Sequence, residues 1–314
     1  MAWLEITIPT TAQSINSVTT ALTAGGFSDL LIEDQAEFET FLDENREYWD
    51  YIDETLQQKL DGLSNIKLYL EDSDAAGMDK LTALLRKLGL DMSVSALPDV
   101  DYEESWKDSY PPQPIGQKLM VLPYWLSDAP TDGRLSVILD PGLTFGTGAH
   151  PSTQMVLEAM EELVKNGSSC LDLGSGSGIL SIAALRLGAK SAIGVDIDPK
   201  AEDMARENAR YNGFGAPEFT ALTGNVTADR ALMERLSRGT YDFVFVNIVA
   251  DVIIGLAPVL PEFLQENSVL ICSGILHDRL GDVKAALERA GLRITSVREK
   301  EDWRCATAQK EIRT

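Results

Sequence analysis

Short apolar runs alternate with helical patterns through the second half of the chain. The run ending at Leu173 leads through a glycine loop into the helical pattern of residues 180–187, and a second apolar strand precedes the helical segment 201–212. The run 241–248 is continuously apolar, as expected for a central parallel strand that is buried on both faces. This order of elements predicts an α/β domain built on a parallel sheet.

The last third of the chain departs from this alternation. Residues 269–272 predict a further strand and residues 278–290 a helix that ends at Gly291. The segments 293–298 and 303–309 then predict an antiparallel pair of strands. A dinucleotide-dependent oxidoreductase would continue with another parallel strand, helix and strand at this point, so the terminal hairpin argues against that class.

Residues 1–97 have a pattern of their own and predict a separate, smaller domain. Alternating apolar residues at 4–8 indicate a half-buried strand, and helical patterns follow at 15–24 and 78–88. Further strands are predicted at 30–33, 66–70 and 92–97, with a helical turn or two at 53–60. The strand–helix–strand pattern occurs twice, which predicts a ferredoxin-like α+β sandwich.

Residues 98–116 predict a linker between this domain and a larger domain at 117–314. The segment is acidic and aromatic and then contains Pro111-Pro112-Gln113-Pro114, which stiffens the chain. In the larger domain, 118–123 and 136–140 predict a pair of strands, and Ser152 or Thr153 is placed to cap a helix at 154–164.

Composition narrows the choice of partners. The chain has 314 residues, enough for two domains with separate cores, and a formal net charge of −22. The electrostatic field of so negative a protein repels nucleic acids and anionic membranes and attracts basic partners, although an acidic surface is also a common aid to solubility. No leader or membrane-length apolar run is apparent, so we expect a cytoplasmic protein.

The cysteines and histidines predict no metal site. Cys170, Cys272 and Cys305 are scattered without a C-x-x-C pair, and two histidines are too few for a histidine-rich site. Cys170 and Cys272 lie in apolar strand patterns, so we expect both to be buried thiols.

The glycine loop at 174–178 is the first candidate for ligand binding, because glycine lets the backbone approach a ligand closely. A dinucleotide fingerprint would want glycine where this chain has Ile179, so that fit is poor. Asp196 follows at the end of the second strand, about 20 residues beyond the loop, where a carboxylate can accept hydrogen bonds from both ribose hydroxyls. Asp198 precedes Pro199 and instead predicts a helix N-cap. The loop and Asp196 together predict a nucleoside-containing ligand.

Asn247 is the second candidate. It ends the continuous apolar strand, and ligands of open α/β sheets bind beyond the carboxyl ends of the strands. An asparagine at this place can alternatively satisfy the backbone of its loop.

Four motifs lie at the predicted ends of these elements: F-G-T-G-x-H-P-x-T at 145–153, D-x-G-x-G-x-G at 172–178, D-I-D-P at 196–199 and N-I-x-A at 247–250. Together they resemble the PrmA family of S-adenosylmethionine-dependent ribosomal-protein methyltransferases. The resemblance extends to residues 2–5, 104–108 and 299–303 and so covers nearly the whole chain. It implies a class I methyltransferase fold for the larger domain, a Rossmann-like sheet with an antiparallel terminal hairpin, and a substrate-recognition role for the ferredoxin-like domain.

The resemblance also implies a cofactor and a substrate. The cofactor is S-adenosylmethionine, and the substrate is the stalk-base protein of the large ribosomal subunit, methylated on lysine side chains and the N-terminal amine. The implied cofactor-binding residues are Thr153, Asp172, Gly174, Gly176, Gly178, Asp196, Asn225 and Asn247. The Asn247 amide oxygen and the backbone carbonyl near Ile248 are expected to orient the attacking amine.

The sequence leaves the role of His150 open: it is either a general base or a hydrogen-bond partner of its own loop. The chain has N-I-V-A where methyltransferases of planar amino groups have N-P-P-Y, which argues against a nucleic-acid base or glutamine amide as acceptor. The alternatives are a methyltransferase of another basic protein or small amine, or a non-catalytic nucleoside-binding module. We expect a monomer.

Overall fold

The computed structural model describes residues 3–11, 13–27, 29–35, 64–97, 106–141 and 146–311. The helical turn predicted at 53–60, and residues 2, 104, 105 and 145 of the family motifs, lie outside the described residues. The chain divides into two units, residues 1–108 and 109–314. None of the helices in the described parts of the chain is long and apolar enough to cross a membrane.

The first unit has the topology that its sequence predicts. Its elements are β1 (Trp3–Pro9), α1 (Ile15–Ala24), β2 (Leu30–Asp34), β3 (Ser64–Glu71), α2 (Ala75–Leu88) and β4 (Ser93–Leu97). The sheet has the order β2-β3-β1-β4 with antiparallel pairing throughout, which is the ferredoxin-like arrangement. Every second residue of the central strands, such as Ile6, Ile8, Ile66 and Leu68, is buried against the helices.

The second unit begins with a small three-stranded sheet. Its strands are β5 (Gln113–Ile115), β6 (Leu119–Pro123) and β7 (Leu135–Leu139), in that order. The assignment of all of 98–116 to a linker is therefore wrong for residues 113–115, which pair with β6. Pro114 is tolerated because β5 is an edge strand, where a missing amide donor costs little.

The larger sheet follows. Its helices and strands are α3 (Pro151–Leu163), β8 (Ser169–Leu173), α4 (Ile179–Arg186), β9 (Ser191–Asp196), α5 (Pro199–Tyr211), β10 (Phe219–Thr223), α6 (Arg230–Ser237), β11 (Tyr241–Asn247), α7 (Ala250–Leu256), β12 (Leu264–Leu276), α8 (Leu280–Arg289), β13 (Leu292–Lys300) and β14 (Trp303–Lys310). Short 3₁₀ helices lie at Trp106–Ser109, Tyr124–Leu126, Leu260–Phe263 and His277–Arg279.

Seven strands form this sheet in the order β10-β9-β8-β11-β12-β14-β13. The strands from β10 to β12 run parallel, whereas β14 is antiparallel to both of its neighbours. The terminal hairpin and the class I methyltransferase sheet are thus confirmed.

The central strand β11 explains the continuous apolar run. Phe243 and Phe245 belong to the core on one face of the sheet, while Val244 and Val246 belong to the core on the other. Chain order reverses between β8 and β11, which are neighbours in the sheet. In open α/β sheets the ligand crevice lies at this reversal, beyond the carboxyl ends of the strands.

One buried carboxylate fixes the turn between β5 and β6. Glu161 on α3 is 7% exposed, and its two oxygens accept hydrogen bonds from the amides of Gln117, Lys118 and Leu119 at 2.8, 2.8 and 2.9 Å. A single carboxylate thereby satisfies three backbone donors at the turn and at the start of β6.

We expect Glu161→Ala to lower the free energy of unfolding of the second unit by about 3 kcal/mol, because three amides lose their acceptor. The matched control is Glu162→Ala, since the next carboxylate is 63% exposed and pairs with Arg298 at the surface. Such exposed pairs contribute about 0–1 kcal/mol. Urea unfolding followed by circular dichroism measures both, and equal shifts of the midpoint would contradict the prediction.

Candidate functional site

The glycine loop joins β8 to α4 at the reversal point of the sheet. Gly174 and Gly178 have positive φ angles of 74° and 78°, which favour glycine. A Cβ on Gly174 would lie 2.5 Å from the Ile248 side chain, so the loop backbone passes close to the turn after β11. Val246 pairs with Leu173, and Asn247 and Gly174 therefore leave neighbouring strands side by side.

Asp172 lies under this loop and is fully buried. Its Oδ2 accepts hydrogen bonds from the Ser181 hydroxyl at 2.8 Å and the Ser181 amide at 3.2 Å. Its Oδ1 is buried and has no partner among the described residues. Burial raises the pKa of this carboxyl to about 7, although the two bonds from Ser181 oppose the shift. One face of the carboxyl is therefore available to a hydrogen-bond donor that a ligand would bring.

Asp196 holds the middle of the glycine loop. Its Oδ2 accepts a hydrogen bond from the Gly176 amide at 2.8 Å, and its Oδ1 accepts one from the Asp198 amide at 3.0 Å. Each carboxylate oxygen can accept a second bond, so both remain able to receive ribose hydroxyls. Asp198 caps α5 by accepting from the Lys200 amide at 2.9 Å, which confirms its predicted role as N-cap.

Asn247 and Thr153 meet across the crevice. The Asn247 Nδ2 donates to the Thr153 hydroxyl at 3.0 Å, and Thr153 is only 3% exposed. This bond fixes the orientation of the amide and leaves its Oδ1 buried, without a partner in the described part of the chain. The Ile248 amide donates to the Ser273 carbonyl at 3.2 Å, which fixes the turn that follows Asn247.

The start of α3 differs from the prediction. The helix begins at Pro151, and Ser152 and Thr153 lie within its first turn, so neither is the N-cap. The cap is His150, whose Nδ1 accepts a hydrogen bond from the Ser152 amide at 3.2 Å. Pro151 explains the earlier start, because its fixed φ suits the first helical position.

His150 therefore bonds to its own loop, the second of the two roles considered for it. Its ring lies edge-to-face against Trp303, with 4.6 Å between the centroids. Partial burial lowers the pKa of the imidazole, although the charge of Glu301 opposes the shift. The ring is consequently neutral near pH 7, as its role as hydrogen-bond acceptor requires.

Asn225 lies beside Asp196 at the end of β10, because the Gly224 amide donates to the Asp196 carbonyl at 2.8 Å. The Asn225 side chain is exposed, and its Oδ1 accepts from the amide and hydroxyl of Thr227 at 2.9 and 2.7 Å. This oxygen is thus engaged within its own turn, which leaves the amide nitrogen for any contact with a ligand.

Sequence reasoning missed two buried asparagines, one on α5 and one at its C-cap. Asn208 is 0% and Asn212 5% exposed. A signal was available, because Asn208 and Asn212 lie at helical spacing on the same face as Ala201, Ala205 and Ala209. Buried amides require partners, and those of Asn208 lie in the glycine loop and beside β7.

The cysteines are free and buried, as predicted for Cys170 and Cys272. In the residues that the structure describes, no group of three or more histidine, cysteine, aspartate or glutamate side chains is arranged to hold a metal ion.

Comparison with known proteins identifies the family. The model of the family described as ribosomal protein L11 methyltransferase (PrmA) matches residues 2–311. The chain belongs to the PrmA family. The predicted resemblance is thereby confirmed.

Relatives named ribosomal protein L11 methyltransferase match this PrmA chain along its length. The protein of Alkaliphilus oremlandii is 35% identical over 313 residues, which cover 96% of this chain and 97% of the relative. That of Agathobacter rectalis is 33% identical and covers 99% of both chains. Among solved structures, the ribosomal protein L11 methylase of Lactobacillus delbrueckii subsp. bulgaricus is 30% identical with a TM-score of 0.58, and the match covers 64% of this chain and all of that one.

The buried carboxyl of Asp172 predicts a pH dependence of stability. In the folded protein it keeps its proton up to about pH 7, whereas in the unfolded chain it ionises near its ordinary value. Between these values the unfolded state binds fewer protons, so stability falls as pH rises, by at most about 1.4 kcal/mol per pH unit. Asp172→Asn removes this dependence. We expect the Tm of the variant, relative to wild type, to rise from about pH 5 to about pH 7.5 in calorimetric scans. A constant difference would contradict the assignment.

Proposed function

We propose that this PrmA-family protein transfers methyl groups from S-adenosylmethionine to lysine side chains and to the N-terminal amine of L11, the stalk-base protein of the large ribosomal subunit. The observation that carries the proposal is the Asn247 amide, which is held by Thr153 and presents a buried, unpartnered oxygen at the carboxyl end of the central strand. The names of the relatives support L11 as the substrate.

The residues of the crevice fit the cofactor. Among the described residues, Asp172 and Asn247 each leave a buried oxygen without a donor, which suits a ligand that carries N–H and O–H groups. Glycine at 174 lets the loop lie close to the turn after β11, since a Cβ there would lie 2.5 Å from Ile248. In the proposal, Asp172 receives the amino group of the cofactor and Asp196 its ribose hydroxyls. The remaining contacts are assigned to Thr153, Gly174, Gly176, Gly178, Asn225, which is placed beside the adenine, and Asn247.

The bound cofactor supplies an activated methyl group on a sulfonium sulfur. The chain must then hold a neutral amine in line with that group and exclude water. Lysine is protonated near pH 7, so the amine has to lose its proton in a desolvated site before it attacks. The Asn247 Oδ1 and the Ile248 carbonyl accept hydrogen bonds from the amine and direct its lone pair. Both groups position the nucleophile, and neither needs to take up the proton.

The net charge of −22 supports a basic acceptor, because the field of an acidic protein draws cationic partners and repels phosphate backbones. In this proposal the enzyme acts as a monomer in the cytoplasm, and its smaller ferredoxin-like unit recognises L11.

Mass spectrometry of purified L11 after incubation with the enzyme and S-adenosylmethionine tests the proposal. We expect mass gains of one methylene per transfer, mapped to lysines and the N-terminus. Asn247→Ala should slow transfer about 100-fold, because the amine loses its acceptor, while S-adenosylhomocysteine still binds. Unmodified L11 with intact cofactor binding would favour another basic protein or a binding module. Full turnover by Asn247→Ala would remove the positioning role.

The ribose assignment is tested at Asp196. We expect Asp196→Ala to weaken S-adenosylhomocysteine binding about 100-fold in calorimetry, because both the ribose contacts and the bond to Gly176 are lost. Asp198→Ala is the matched control: it removes a helix cap worth about 1 kcal/mol of stability but keeps the backbone amide that bonds Asp196. Equal affinities for the two variants would refute the assignment.

A further inference from the structure

Two buried amides, Asn208 on α5 and Asn212 at its C-cap, have different partners, although they lie one helical turn apart. Asn212 bonds mainly to β7: its Oδ1 accepts from the Ile138 amide at 2.9 Å, and its Nδ2 donates to the Ile138 carbonyl at 2.6 Å. It also donates to the Asn208 carbonyl at 2.7 Å and accepts from the Arg186 guanidinium at 3.3 Å. Asn212 thus completes the backbone hydrogen bonding of a strand residue. The partners of Asn208 lie in two separate segments.

Asn208 connects the glycine loop to the segment that follows β7. Its Nδ2 donates to the Ser177 carbonyl at 2.8 Å, and its Oδ1 accepts from the Asp140 amide at 2.8 Å. The Ser177 hydroxyl donates in turn to the Gly146 carbonyl at 2.8 Å. Asp140 follows β7, and Gly146 lies within the family motif at 145–153; both residues are therefore attached to the glycine loop through two side chains, Asn208 and Ser177.

The end of β9 and helix α5 fix three successive residues of the glycine loop. Gly176 is held by Asp196, the last residue of β9, and Ser177 is held by Asn208. A Cβ on Gly178 would lie 3.0 Å from the Ala205 Cβ, so the helix also packs directly on the end of the loop. Asn208 is 0% and Ser177 2% exposed, and no water competes for these bonds.

We propose that Asn208 is a positioning residue for the cofactor site: it bonds to both Asp140 and Ser177 and, with the Ser177 hydroxyl, holds the glycine loop, Asp140 and Gly146 in one arrangement before the ligand binds. The inference rests on the proposed function for the identity of that ligand. Asn208 contacts only protein backbone, so its effect on binding passes through the loop. A preformed loop loses less conformational entropy when a ligand binds, and this gain appears as affinity.

The chemistry of the position requires an amide. One group must donate to the Ser177 carbonyl while the other accepts from the Asp140 amide, and asparagine supplies both in one planar side chain. A carboxylate has no donor, and an aliphatic side chain leaves two buried backbone groups without partners.

The test compares Asn208→Ala and Ser177→Ala with Asn212→Ala, which removes a buried amide whose side-chain partners lie outside the glycine loop. Calorimetry with S-adenosylhomocysteine gives affinity, hydrogen exchange of the ligand-free protein gives the opening of residues 174–178, and thermal scans give stability. We expect affinity to fall about tenfold in Asn208→Ala and about threefold in Ser177→Ala, with faster exchange in the loop. Asn212→Ala should lower Tm at least as much as Ser177→Ala but keep its affinity within about twofold of wild type.

Steady-state kinetics separates positioning from catalysis. In Asn208→Ala the KM for S-adenosylmethionine should rise, whereas kcat at saturating cofactor should stay within about twofold of wild type, because the bound loop is re-formed by the ligand. A fall in kcat at saturation with an unchanged KM would overturn the inference.

Two further results would also overturn it: wild-type affinity with wild-type exchange in Asn208→Ala, or an affinity loss in Asn212→Ala as large as that in Asn208→Ala. If Asn208→Ala does not fold, Asn208→Asp, which keeps the acceptor for the Asp140 amide but loses the donor to the Ser177 carbonyl, is compared with Asn212→Ala by the same criteria. If wild-type protein fails to bind S-adenosylhomocysteine, the proposed function fails. The exchange comparison in ligand-free protein then still decides whether Asn208 holds the loop.

Discussion

The hydrogen bond from the Gly176 amide to the Asp196 carboxylate ties the glycine loop to the end of the neighbouring strand. It sets the distance between β8 and β9 at their carboxyl ends, and the other site groups are arranged around it. Asp172 lies below the loop, and α5 starts at Pro199, three residues after Asp196. A loop of three glycines has many conformations in an unfolded chain, so its single folded arrangement depends on such contacts with its neighbours.

The sequence was most informative where one residue type has one physical role. The apolar run at 241–248 predicted a strand buried on both faces. The glycines predicted a tight loop, and Asp198-Pro199 predicted the start of a helix. The sequence-based predictions were wrong where tertiary contacts determine the local structure. Residues 113–115 pair as an edge strand despite the prolines, since β6 offers a partner that local composition does not reveal. Histidine is an unusual cap, and His150 serves because Trp303 and Ser152 hold its ring.

For the site residues, too, the sequence predicted position but not hydrogen bonding. It placed Asp172, Asp196 and Asn247 at strand ends, whereas the structure shows which of their side-chain atoms already form hydrogen bonds within the protein. The sequence did not predict a role for Asn208, because its hydrogen-bond partners are backbone groups 31 and 68 residues away in sequence. Asp172 and Asn247 each have a buried oxygen with no donor in the described parts of the chain. These oxygens destabilise the ligand-free protein, and the packed cores on both faces of the sheet offset that cost.

Residues near the C-terminal end of the sequence, in β12 and β14, hold the start of α3 beside the crevice. The Ser273 hydroxyl donates to the carbonyls of both Ser152 and Arg304, and the His150 ring rests on Trp303, so the first turn of α3 is held in place by β12 and β14. During synthesis, therefore, the glycine loop and Asp196 leave the ribosome well before the residues that fix Thr153. A nascent chain that has produced only β8, β9 and β10 has the glycine loop and Asp196 but lacks Asn247 and Ser273, which bond to Thr153 and Ser152. Acquisition of a working site is thus a late, long-range event in folding.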